Sequence, residues 1–136
     1  MDSTNNPTIV IVDDDEAVRD SLKILLITHG LAVEDYESID AFKRGFRPRA
    51  DSCLLLDQHL ASVTGLDFLA SPEGRQLSMP VILFTGQGDN SLRAQAREAG
   101  VAAFLEKPIG GDLLLSAIRD ALRNGPQLNG HGTSAD

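Results

Sequence analysis

The chain has 136 residues, enough for one domain with a single sizeable core. Its apolar share of 42% contains few aromatics and no Trp, and twenty acidic against twelve basic residues leave a formal charge of −8. That balance argues against direct nucleic-acid binding, and the lone Cys53 excludes an internal disulfide or a multi-cysteine metal site. No apolar run approaches the roughly 18 residues of a membrane span, and the polar start from Met1 to Pro7 lacks the pattern of a signal peptide. The expectation is a soluble, cytoplasmic, acidic domain with no membrane partner.

Residues 1–7 read as a disordered polar leader. Thr8 to Val12 is a β-branched run, the pattern of a strand buried on both faces. After an acidic stretch, Val18, Leu22, Leu25 and Leu26 recur at helical spacing until Gly30 stops the helix. Leu31 to Tyr36 forms a second strand, and Ser38 caps a short helix carrying Ile39 and Phe42. Cys53 to Leu56 is a third strand that ends abruptly in Asp57. Helical residues follow Gly65, but Pro72 costs about 3 kcal/mol inside a helix, so that helix is expected to break at Ser71-Pro72 with a new turn beginning there.

Pro80 introduces the fourth strand, Val81 to Phe84, which runs into Thr85-Gly86. A fourth helix covers residues 91–99 and ends at Gly100; Val101 to Leu105 is the fifth strand, followed by Glu106-Lys107-Pro108. The fifth helix runs from about Asp112 to Arg123, with Leu114, Ile118, Ala121 and Leu122 on one face. Residues 124–136 carry almost nothing apolar and read as a linker or flexible tail.

Five buried strands alternating with five helices make an α/β domain, a parallel sheet covered on both faces. Ligands in such sheets sit beyond the carboxyl ends of the strands. The residues at those ends are Asp13 and Asp14, Asp57, Thr85 and Lys107. Clustered carboxylates repel and need a cation or a shared proton. An all-oxygen set without His or Cys side chains suits a hard ion such as Mg²⁺ or Mn²⁺, and Lys107 adds a compact positive charge. Together these groups suit phosphoryl transfer to a carboxylate. A single strand-end Asp is usually a turn former or a helix cap, as Asp15 and Glu16 are here. The coincidence of all these groups at successive strand ends is what points to a site.

Four segments carry a family resemblance: Ile11 to Glu16; Leu54 to Asp57 with Gly65-Leu66-Asp67; Pro80 to Gly86; and Phe104 to Pro108. In that order they resemble the receiver domains of two-component response regulators, over roughly residues 8–123. Thr85-Gly86-Gln87-Gly88-Asp89 and Glu106-Lys107-Pro108 look most like the nitrogen-fixation-type transcription regulators, whose longer members usually carry a DNA-binding output domain absent from this chain.

The resemblance implies a flavodoxin-like, doubly wound sheet in strand order 2-1-3-4-5. It also implies that Asp57 accepts a phosphoryl group from a phosphohistidine on a sensor histidine kinase. Asp13, Asp14, Asp57 and the backbone carbonyl of His59 would hold Mg²⁺. Thr85, Gly86 and Lys107 would bind the phosphoryl oxygens, with Thr85 and Phe104 as the switch pair. A cis Lys107-Pro108 peptide is implied too, as is a phosphorylation-dependent homodimer through the fourth helix, fifth strand and fifth helix. Where the family commonly has Pro, this chain has Ala61. His59 and Gln87 take the variable positions that tune the lifetime of the phosphoryl group. On this reading the domain is a switch rather than a turnover enzyme.

Three other classes fit less well. Haloacid-dehalogenase phosphatases need a second Asp where His59 stands. A nucleotide or flavin site would not place Asp13-Asp14-Asp15 against phosphate, and G-x-x-x-x-G-K-[ST] is absent. A dead interaction module would not need the full set of site residues. The alternative within the family is a stand-alone regulator acting by protein–protein contact without a DNA-binding output.

Overall fold

The structure is a computed structural model that describes residues 7–86, 88 and 90–124. The expected leader before Pro7 and the tail after Asn124 lie outside the described residues, as does Gln87. Five strands, β1 (Thr8–Val12), β2 (Ala32–Tyr36), β3 (Ser52–Asp57), β4 (Val81–Thr85) and β5 (Ala103–Glu106), form one parallel sheet in the order β2-β1-β3-β4-β5. The helices are α1 (Glu16–Thr28), α2 (Ile39–Gly45), α3 (Gly65–Ala70), α4 (Pro72–Arg75), α5 (Asn90–Glu98) and α6 (Gly111–Asn124). This is the flavodoxin-like order expected from the resemblance.

Strand alternation divides the core in two. Ile9, Ile11, Cys53, Leu55, Ile82 and Phe84 pack with α1 and α6. Val10, Val12, Leu54, Leu56, Val81 and Leu83 point to the other face, against α2, α3 and α5. A side-chain period of two therefore places Asp13 and Asp57, which continue the Ile9-Ile11 and Cys53-Leu55 rows, on the α1/α6 side of the sheet's carboxyl edge.

Three expectations need correction. The helix count is six rather than five, because the third helix divides where Pro72 forbids its continuation. Ser71 takes an extended conformation (φ −73°, ψ 163°), its Oγ accepts from Gly74 N at 3.1 Å, and Pro72 opens α4. Gly74 is then pressed on the preceding turn: a Cβ there would meet the Phe68 carbonyl oxygen, and Leu69 Cα at 2.7 Å. The second correction concerns burial. Whereas β1, β3 and β4 are buried throughout, β2 and β5 are sheet edges and largely half-exposed. The fifth strand also begins at Ala103 rather than Val101, since pairing with β4 starts at Ile82 opposite Ala103.

Both glycine stops hold. Gly30 and Gly100 adopt φ of +85° and +84°, a left-handed conformation in which other residues are strained. After α1, Gly30 N donates to Ile27 O and Leu31 N to Leu26 O, which closes the helix and turns the chain into β2.

Candidate functional site

The first strand ends by running Asp13 into a tight loop. Asp13 N donates to Tyr36 O at 3.2 Å, Asp13 Oδ1 accepts from Asp15 N at 2.9 Å, and Asp15 caps α1 by accepting from Ala17 N. Asp13 is fully buried, while Asp14 beside it is exposed. From β3, the buried Asp57 brings its carboxylate alongside, where Oδ1 accepts from His59 N at 3.2 Å. Oxygens of Asp13, Asp14 and Asp57 all lie within 4.8 Å of one another.

Lys107 reaches this pocket from beyond β5. Its Nζ lies 3.4 Å from Asp13 Oδ2 and 3.5 Å from Asp57 Oδ2, over the Phe84 ring at 5.1 Å from the centroid. The Lys107–Pro108 peptide is cis, and Lys107 N donates to Thr85 O at 2.8 Å. Thr85 is fully buried at the end of β4, with Gly86 exposed after it. Four of the five strand-end residues are thus shown in one pocket, and the fifth, Thr85, is joined to Lys107 through the backbone.

One cation between two buried carboxylates does not neutralise them. Burial first, and then the Asp13 charge, push the Asp57 carboxyl up to about 6, while the His59 N–H and Lys107 pull it down. A group of carboxylate oxygens with surplus negative charge and no thiolate or imidazole is suited to a hard divalent cation. The donor set therefore fits such an ion.

The loop after Asp57 is built to hold its shape without the Pro. Gln58 N donates to Phe84 O and its carbonyl accepts from Gly65 N at 3.0 Å, while its buried side-chain Oε1 accepts from Leu66 N at 2.9 Å. His59 pairs with Thr64 across the loop and is exposed. Gly65 permits this closure, because a Cβ would come within 2.8 Å of both Asp57 O and Leu83 Cδ1. Phe104 on β5 is half-buried against the α2/α3/α5 face, with the Arg93 guanidinium carbon 5.0 Å from its ring centroid.

Two residues near the site were not singled out from the sequence. Gln58 is one, and its place directly after the strand-end Asp was the available signal. Arg19 is the other. It sits one turn into α1, with NH1 2.7 Å from Asp13 O and Nε 3.0 Å from Asp35 Oδ2.

Comparison with known proteins gives a consistent picture. Residues 9–119 match the response regulator receiver domain family. The chain is 38% identical over 112 residues to the transcriptional regulatory protein FixJ of Azorhizobium caulinodans, covering 82% of this chain and 53% of that protein. Its structure resembles a CheY-like response regulator receiver domain protein from Methanospirillum hungatei, with a TM-score of 0.78 at 27% identity over 88% of this chain and 96% of the other. Full-length FixJ from B. japonicum is also similar, with a TM-score of 0.78 at 32% identity over 87% of this chain and 58% of that one. The chain spans about half the length of the curated relatives it matches.

Proposed function

Because this chain belongs to the response regulator receiver domain family, we propose that Asp57 is its phosphoacceptor in a Mg²⁺-dependent transfer from a sensor histidine kinase. The observation that carries this reading is the meeting of Asp13, Asp14, Asp57 and Lys107 at one edge of the sheet. An oxygen of the Asp57 carboxylate attacks the phosphorus of the kinase's phosphohistidine. The P–N bond breaks, and the imidazole leaves with its electron pair. Mg²⁺, when bound through Asp13, Asp14, Asp57 and the His59 carbonyl, supplies positive charge for the transferring oxygens.

The chain's own residues do the rest. Lys107, already placed between Asp13 and Asp57, pairs with a phosphoryl oxygen once Asp57 is modified. The Thr85 hydroxyl and the Gly86 N–H donate to the others. Movement of Thr85 toward the phosphoryl group vacates space for Phe104 to turn inward. That turn reshapes the surface of α5, β5 and α6, through which the phosphorylated domain dimerises. His59 and Gln87 set how readily water reaches the product, and hence its lifetime. The domain works as a switch rather than a turnover enzyme, in the cytoplasm. It controls transcription through a DNA-binding output beyond these residues.

Acetyl phosphate with Mg²⁺ should add one phosphoryl group to the intact protein, as read by mass, and Asp57→Asn should abolish the addition. A wild-type protein that neither gains that mass nor binds beryllofluoride would overturn the proposal.

A further inference from the structure

The loop that carries Asp13 and Asp14 has few ways to hold its shape. It joins the end of β1 to the start of α1 within three residues, and the side chains it displays repel one another. Asp13 spends both carboxylate oxygens locally, one on Asp15 N and the other facing Lys107. With its N–H given to Tyr36 O as well, the backbone carbonyl is the remaining group by which Asp13 is held. Arg19 takes that group: NH1 donates to Asp13 O at 2.7 Å while Nε donates to Asp35 Oδ2 at 3.0 Å.

The arginine is itself held. Its side chain is 13% exposed, and Asp35 lies on β2, the strand whose Tyr36 O accepts from Asp13 N. Lys23 Nζ stands 3.5 Å from the other oxygen of Asp35, fixing that carboxylate from a second side. A planar guanidinium can serve a carbonyl and a carboxylate at once, whereas an ammonium on a flexible stem is far less suited to both.

We infer that Arg19 is a positioning residue for the cation-binding loop, pinning the Asp13–Asp14 peptide so that Asp14 faces Asp13 and Asp57, with Asp35 as its anchor. The peptide group is planar, so holding the Asp13 carbonyl oxygen fixes the plane as far as the Asp14 Cα. Asp14 is the exposed member of the acidic group, and among the described residues its side chain has no hydrogen bond or ion pair to aim it. Its aim comes from the backbone. The guanidinium also adds positive charge behind a loop that carries a surplus of negative charge. This inference rests on the reading of the pocket as a cation-assisted phosphoacceptor site.

The test is calorimetric titration with Mg²⁺ of wild type, Arg19→Met, Arg19→Lys and Asp35→Ala, each checked by circular dichroism at the titration temperature. The wild type is titrated first, since absence of binding there overturns the phosphoacceptor reading along with this one. Arg19→Met should raise the Mg²⁺ dissociation constant about ten-fold or more, the scale expected for partners that orient metal ligands. Arg19→Lys should fall between Arg19→Met and wild type. Labelling by acetyl phosphate should return toward the wild-type rate as Mg²⁺ is raised, which a general loss of structure would not allow. A folded Arg19→Met protein with wild-type Mg²⁺ affinity overturns the inference. Should Arg19→Met fail to fold, Asp35→Ala decides, because it keeps the arginine but frees it. Wild-type affinity in that variant is equally contrary.

Discussion

The same five strands end in opposite ways. At their carboxyl ends stand Asp13, Asp57 and Thr85, all buried and polar. On the α2/α3/α5 side, an aromatic group runs from Tyr36 at the carboxyl end of β2 through Phe42, edge-on to Tyr36 at 5.7 Å and to Phe68 at 6.0 Å, to Phe46, stacked on Phe42 at 5.0 Å toward the amino ends of β3 and β4. An open pocket of about 340 Å³ lies beside it, lined by Phe42, Phe46, Phe68, Leu77 and Met79 among others. Hollow space and chemistry are thus separated. The amino end supplies cohesion by burying apolar surface, while the carboxyl end stores unfavourable charge that a cation and a phosphoryl group can use. A roomy pocket alone would have pointed to the wrong end of the sheet.

The contrast can be broken most forcefully at the amino end. Phe42→Ala should cost about 3–5 kcal/mol of unfolding free energy in denaturant titration, as expected for emptying a buried aromatic site. Mg²⁺ affinity of the folded fraction should stay at the wild-type value. A parallel loss of Mg²⁺ affinity would show that the two ends are not separable.

At the carboxyl end the sign reverses. A carboxyl whose folded pKa is raised to about 6 binds its proton more tightly in the folded chain than in the unfolded one. Its contribution to stability is therefore greatest below the ordinary carboxylate range and is lost as pH rises toward and through 6. Without Mg²⁺, Asp57→Asn should be more stable than wild type above pH 6 by about 2 kcal/mol, with the gap closing toward pH 4. Added Mg²⁺ should stabilise the wild type and narrow the difference. A variant that is less stable than wild type at neutral pH would contradict the idea of stored charge.

The smallest effect belongs to the exposed rim of the amino-end pocket. Lys43 Nζ is 3.9 Å from Glu73 Oε2, and both side chains are exposed. Lys43→Met should change the unfolding free energy by under about 1 kcal/mol, because exposed pairs contribute little. A larger loss would mean that α2 and α4 are joined by more than apolar packing.

Much of this arrangement could be read from local sequence. The β-branched and leucine runs of β1, β3 and β4 mark buried strands, and the abrupt change to Asp13, Asp57 and Thr85 marks their carboxyl ends. Pro72 foretold the break between α3 and α4, since a ring at N1 is tolerated where one inside a helix is not. Sheet order was less legible. It followed from family resemblance, and so did not reveal from periodicity alone that β2 would be a half-exposed edge. Arg19 and Asp35 were least legible, because they are sixteen residues apart and meet only when β2 lies beside β1. A charged residue in the first turns of a helix ordinarily looks like a solvated face. Gln58 was hidden for a similar reason, as its partner Leu66 is reached only after the loop folds back.

Locating the phosphoryl group tests the central claim most directly. After acetyl phosphate treatment with Mg²⁺, borohydride reduction converts an aspartyl phosphate to homoserine, which peptide mass spectrometry can place. The account predicts homoserine at position 57 and nowhere else, and none when Mg²⁺ is withheld. Homoserine at Asp13 or Asp14, or a phosphoryl group retained on His59, would contradict it.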